Sequence, residues 1–190
     1  INDYNGFVST HPMASSGSST ITYSYTNIYG CTSSVTTLVT VNELPDLSPI
    51  YGPTTTICAG STTFLHNGNA GGTWSSSNTS LANIDPYSGV VTANNMGYSG
   101  FLGIIYSLTM YGCTNSVSTL LTIKPLPTAT ITATTETTFC NGGSVVLYAS
   151  EGTSYSWSIG SSTIGTGATY TATAAGSYTV TVTGSNGCSA

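Results

Sequence analysis

The sequence contains no Arg, no Gln and a single Lys, Lys124, among 190 residues. Charged side chains make up 4% of it, against roughly a quarter in an ordinary soluble domain. With one cation and a net charge of −5 the chain has nothing with which to neutralise a phosphate backbone, which argues against nucleic acid as a partner. No run of about 18 apolar residues occurs and no stretch is both basic and amphipathic, so no membrane insertion is expected in this segment. Good helix formers are scarce too. Glu and Lys together number four, while Thr, Val, Ile and Tyr abound, so propensity points to an all-β protein.

Catalytic patterns are equally scarce. The two histidines, His11 and His66, lie far apart, and no Gly-x-Ser-x-Gly elbow, His-Glu-x-x-His or phosphate-binding loop is found. There is no Cys-x-x-Cys or Cys/His cluster for a metal. Asp85, with Asn2 and Asp3 near the corresponding place earlier in the chain, offers too few converging oxygens for calcium. The expectation is a non-enzymatic protein with no cofactor and no metal.

What is present is hydroxyl and repetition. Ser and Thr make up about a third of the residues, yet 39% are hydrophobic and 10% aromatic, enough apolar surface for packed cores. Shifted by 83 residues, Ile1, Tyr4, Gly6, Val8, Ile21 and Tyr23 meet Ile84, Tyr87, Gly89, Val91, Ile104 and Tyr106. One residue is then dropped, and at an offset of 82 Gly30-Cys31-Thr32 meets Gly112-Cys113-Thr114, Pro45 meets Pro127, Cys58 meets Cys140 and Leu65 meets Leu147. Trp74 meets Trp157. This is a tandem array with a period of about 82 residues. It divides into residues 1–43, the C-terminal half of one repeat; 44–125, a complete repeat; and 126–190, most of a third, divergent one. The expectation is therefore a fragment of a longer protein. The junctions, Glu43-Leu44-Pro45 and Pro125-Leu126-Pro127, are short and proline-bearing, which favours a stiff string of units.

Within the complete repeat, period-two alternation and turn residues predict strands near 47–57 (interrupted by Pro53), 61–66, 71–76, 81–84, 89–92, 101–110 and 115–124. Seven short strands in about 80 residues describe an immunoglobulin-like β-sandwich.

The segments Gly72-Thr73-Trp74-Ser75, Leu81-Ala82-Asn83-Ile84-Asp85 and Gly89-Val90-Val91-Thr92 resemble bacterial immunoglobulin-like repeats of the second group. That resemblance implies that Trp74 and, by the repeat, Trp157 are structural core residues. The third unit lacks the Asn-Ile-Asp and Gly-Val-Val-Thr segments. Its run Ala175-Gly176-Ser177-Tyr178, followed by Asn186-Gly187-Cys188, is similar to a sister subtype in very large surface adhesins of gliding bacteria with type IX secretion. The resemblance implies a linear array of sandwiches in an extracellular, cell-surface filament.

Five cysteines suit such a setting. Cys58 and Cys140 precede a Gly at the corner after the first strand; Cys31, Cys113 and Cys188 follow a Gly in the last hairpin. Two pairings stand: within repeats, as Cys58–Cys113 and Cys140–Cys188, or between units, as Cys58–Cys188. The sandwich topology favours the second, because corner and last hairpin lie at opposite ends of one unit. Strands of about seven residues separate those ends by over 20 Å, and a disulfide needs Cα atoms within about 7 Å.

The function expected is the structural stalk of a long repetitive adhesin or filament. Its partners are neighbouring repeats of the same chain and other copies in a fibre. A polysaccharide-binding module, with Tyr87, Tyr98 and Tyr111 stacking on sugar rings, or an accessory array of a secreted hydrolase, is the alternative.

Overall fold

The computed structural model describes residues 16–95 and 97–190. Fifteen β-strands are formed over these residues. Strands β1 (Gly17–Thr26) and β2 (Thr32–Val41) make a two-stranded hairpin. Its alternation places Ile21, Tyr23 and Tyr25 on one face with Val35, Val39 and Val41, and Ser and Thr with Leu38 on the other.

The central unit is a two-layer sandwich. One sheet has the order β3-β9-β8-β5, from β3 (Thr56–Cys58), β9 (Cys113–Lys124), β8 (Gly100–Met110) and β5 (Thr73–Ser76). The other has the order β4-β7-β6, from β4 (Thr62–Phe64), β7 (Val90–Ala93) and β6 (Ala82–Ile84). Between them lie Leu65, Trp74, Leu81, Val91, Leu102, Ile104, Tyr106, Leu108, Leu121 and Ile123, all buried. Each large aliphatic side chain buried in full stabilises the fold by about 1.5–3 kcal/mol. Trp74 and Tyr106 face each other across the β5–β8 pair with ring centroids 4.8 Å apart. The Tyr106 hydroxyl satisfies its polar end by donating to Asn69 O at 2.5 Å and accepting from Gly72 N at 2.9 Å. Gly72 is needed for that approach, since a Cβ there would stand 2.4 Å from the tyrosine ring.

The strand expected over 47–57 is present only in part. Tyr51 forms a single bridge to His66 on the second sheet, and only Thr56–Cys58 runs as a strand, paired in parallel to the end of β9. Pro53 lies at the crossover: it has no N–H to donate, and the chain uses that point to pass from one sheet to the other. Leu47 and Ile50 close the core from this segment.

The third unit has sheets β10-β11-β14 and β13-β12-β15, from β10 (Ile131–Ala133), β11 (Val145–Ala149), β12 (Ser154–Ile159), β13 (Ser162–Gly165), β14 (Thr169–Ala172) and β15 (Tyr178–Thr183). Trp157 is fully buried with Val145, Leu147, Ala172, Val180 and Val182. Its indole N–H donates to Gly167 O at 2.9 Å. Where the central unit places β6 and β7 on the sheet opposite its tryptophan, here β13 pairs with β12, on the same sheet as Trp157. A bulge between Trp157 and Ser158 accompanies that switch, the structural counterpart of the missing Asn-Ile-Asp segment.

Candidate functional site

The described residues contain no group of three or more His, Cys, Asp or Glu able to hold a metal. His66 is exposed and packs edge-on against Phe64, with Tyr51 nearby. His11, Asn2 and Asp3 lie outside the described residues. Asp85 serves a turn: its Oδ1 accepts from Tyr87 N, Ser88 N and Ser88 Oγ at 2.7–3.0 Å. These bonds, led by that from the Ser88 amide, hold its carboxyl below the ordinary value of 3.8.

The three tyrosines considered for sugar stacking are all exposed. Tyr98 and Tyr111 flank opposite ends of β8, however, and its 11 residues put them roughly 30 Å apart. Those two form no shared platform.

The distinctive chemistry lies where one unit meets the next. Cys58 ends β3 beside Lys124, the last residue of β9. Cys188, in the turn after β15, is bonded to Cys58, with Cα atoms 5.7 Å apart and 130 residues between them in sequence. Neither Cys58–Cys113 nor Cys140–Cys188 forms; Cys31, Cys113 and Cys140 are free thiols. In this bond Cys188 is buried and Cys58 half-buried. Around it the Lys124 ammonium, the chain's one lysine, donates to Asn186 O at 3.0 Å, and Asn186 Nδ2 donates to Pro125 O at 2.8 Å. Asn186 Oδ1 accepts from Cys188 N at 3.0 Å and so shapes the turn that presents the sulfur. Leu126 packs down onto the central core.

Residue 42 is the repeat counterpart of Lys124, and the first junction makes the same contact with a different residue. Asn42 Nδ2 donates to Tyr111 O at 2.9 Å, as Lys124 donates to Asn186 O. A second side-chain amide closes each junction from a different position: Asn115 Nδ2 donates to Pro45 O at 2.9 Å at the first, and Asn186 Nδ2 to Pro125 O at the second. Cys113 Sγ lies 3.7 Å from Asn42 O. Sequence reasoning found the cysteines but not these amide and ammonium bonds, because Asn42 and Lys124 share a position and not a chemistry.

One further concavity, of about 690 Å³, runs over the third unit between Ile131, Phe139, Cys140, Leu147 and Tyr178.

Residues 128–190 match the family model of the PKD domain. This is an immunoglobulin-like, non-catalytic module that occurs in extracellular structural and adhesive settings. No curated protein matches the chain. The described residues are thus all-β with a C-terminal stretch similar to the PKD domain, and no helix among them is long and apolar enough to cross a membrane.

Proposed function

We infer that the chain is a stalk segment of a long, repetitive extracellular adhesin or filament, built from units 1–43, 44–125 and 126–190 placed end to end. The observation that carries this reading is the recurrence of one joint. Two junctions 82 residues apart use equivalent positions, Asn42 with Tyr111 and Lys124 with Asn186, to tie the end of one unit to the last hairpin of the next. The second joint, fixed by two hydrogen bonds and a disulfide, resists bending, and reach through stiff repetition is what a stalk supplies. The resemblance of the repeats supports a cell-surface setting in gliding bacteria that export by type IX secretion. The hydroxyl-covered strand faces, with few charges to guard their edges, suit lateral packing of copies into a fibre.

Small-angle X-ray scattering on the oxidised and the reduced chain tests the reading. The expected result is one fixed spacing between the central and third units when oxidised and a broader distribution after reduction. Identical distributions in the two states would overturn it. Saturable binding on a glycan array, lost when Tyr87 or Tyr111 is changed to Ala, would replace it with the polysaccharide-binding reading.

A further inference from the structure

We propose that the outer edge of β2, from Thr40 to Asn42, is an acceptor site for an extended Thr-Ile-Cys-Ala strand, which Cys113 then locks by a disulfide. The proposal rests on the tandem-unit reading and names the partner that reading leaves open at the first junction.

The central unit shows the site occupied. Along the outer edge of β9, β3 adds in parallel, with Thr56 opposite Thr122, Ile57 opposite Ile123 and Cys58 opposite Lys124. The pairing is held at its ends by Thr122 N donating to Thr55 O at 2.8 Å and Ala59 N donating to Lys124 O at 2.9 Å. The added strand delivers Cys58 to Cys188 of the following unit. Each element of this arrangement except the added strand is present at the first junction. The hairpin β1–β2 has the register of β8–β9: Ile21 opposes Thr37 and Tyr23 opposes Val35, as Ile104 opposes Thr119 and Tyr106 opposes Val117. Thr40, Val41 and Asn42 are thus the counterparts of Thr122, Ile123 and Lys124. Among the described residues β2 pairs only with β1, and no described strand lies along its other edge. Cys113 stands where Cys188 stands at the second junction, and its sulfur lies 3.7 Å from Asn42 O. That carbonyl is the counterpart of the one that accepts from Ala59 N. An incoming Ala N–H would take it over, and the preceding Cys would arrive beside Cys113. Strand addition gives affinity through the backbone and selectivity through the side chain that reaches the partner thiol.

The test uses the full chain and the synthetic peptide Thr-Thr-Thr-Ile-Cys-Ala-Gly-Ser, its cysteine carried as a 2-thiopyridyl mixed disulfide. The Cys113 thiolate attacks the peptide sulfur, the peptide–pyridyl S–S bond breaks, and thiopyridone leaves with the electron pair while the Cys113 proton goes to solvent. Exchange needs no external oxidant. Cys31 is the internal control, since Gly30-Cys31-Thr32 repeats Gly112-Cys113-Thr114 and Cys31 is the more exposed thiol. Plain accessibility therefore favours Cys31. Held beside the acceptor thiol, the peptide is expected to couple to Cys113 at least about tenfold faster than to Cys31. N-methylation of the peptide alanine, which removes the donor to Asn42 O, should abolish that preference. Equal coupling at the two thiols, or indifference to N-methylation, overturns the lock. Hydrogen exchange at the Thr40 amide separates the two levels. Protection of Thr40 without preference for Cys113 overturns the lock and leaves the unit-by-unit reading standing. No protection and no preference overturns both.

Discussion

The hairpin of residues 17–41 and the hairpin of residues 100–124 have the same side-chain pattern and the same register, yet opposite surroundings. Tyr106 is 4% exposed and Tyr23, its counterpart, 66%. Leu108 is 6% exposed and Tyr25 59%. Local pairing therefore sets the strand register in both, while burial comes only from the second sheet, which the central hairpin has in β4-β7-β6. The teaching is that alternation encodes a face to be buried and does not by itself supply what buries it.

The sharpest way to break this comparison is to remove the paired tyrosines one at a time. Tyr106→Ala should cost about 3–5 kcal/mol, the range for deleting a large buried aromatic, and it also orphans Gly72 N. Tyr23→Ala should stay within about 0.5 kcal/mol, as for surface changes. Urea denaturation of the two variants gives the ratio, and similar losses would mean that the first hairpin's face is covered. A smaller effect of opposite sign is expected at Thr63. Its hydroxyl is buried on β4 with no partner, and the third unit carries Val145 at the equivalent position. Thr63→Val should stabilise the central unit by about 1 kcal/mol, read as a raised urea midpoint at constant slope. The smallest effect concerns pH. Because Asp85 is held below its ordinary 3.8, its contribution is complete above that value and is lost as pH falls through the lower value of the folded state. Thermal melts above and below 3.8 should show a drop for the central unit that Asp85→Asn removes. A drop of the same size in the variant would assign the acid sensitivity elsewhere.

Much of the fold was legible because repetition supplied what one window lacks. Cys58 aligned with Cys140 and Leu65 with Leu147 located equivalent corners and core positions, and Trp74 with Trp157 marked the strand at each centre. The split of 47–57 was not legible, since alternation continues across Pro53 while the partner sheet changes. The move of β13 onto the tryptophan sheet was hidden for the opposite reason: the segment that diverges is the one with no counterpart to align. At the junctions the cysteine classes were readable from their flanking glycines. The bonds of Asn42 and Lys124 were not, because both serve as donors to a backbone carbonyl, and that requirement leaves residue identity free.

A chain pulled from its two ends carries tension only along the covalent path between them. With Cys58 bonded to Cys188, that path leaves the backbone at residue 58 and rejoins it at 188, so the intervening segment bears no load even if both sandwiches come apart. At about 3.3–3.6 Å per residue, roughly 450 Å of contour length is withheld from extension. In a chain built as the proposed array, a succession of such bonds would make a tether of nearly fixed length, whose give under shear is set by sulfur and not by the cores.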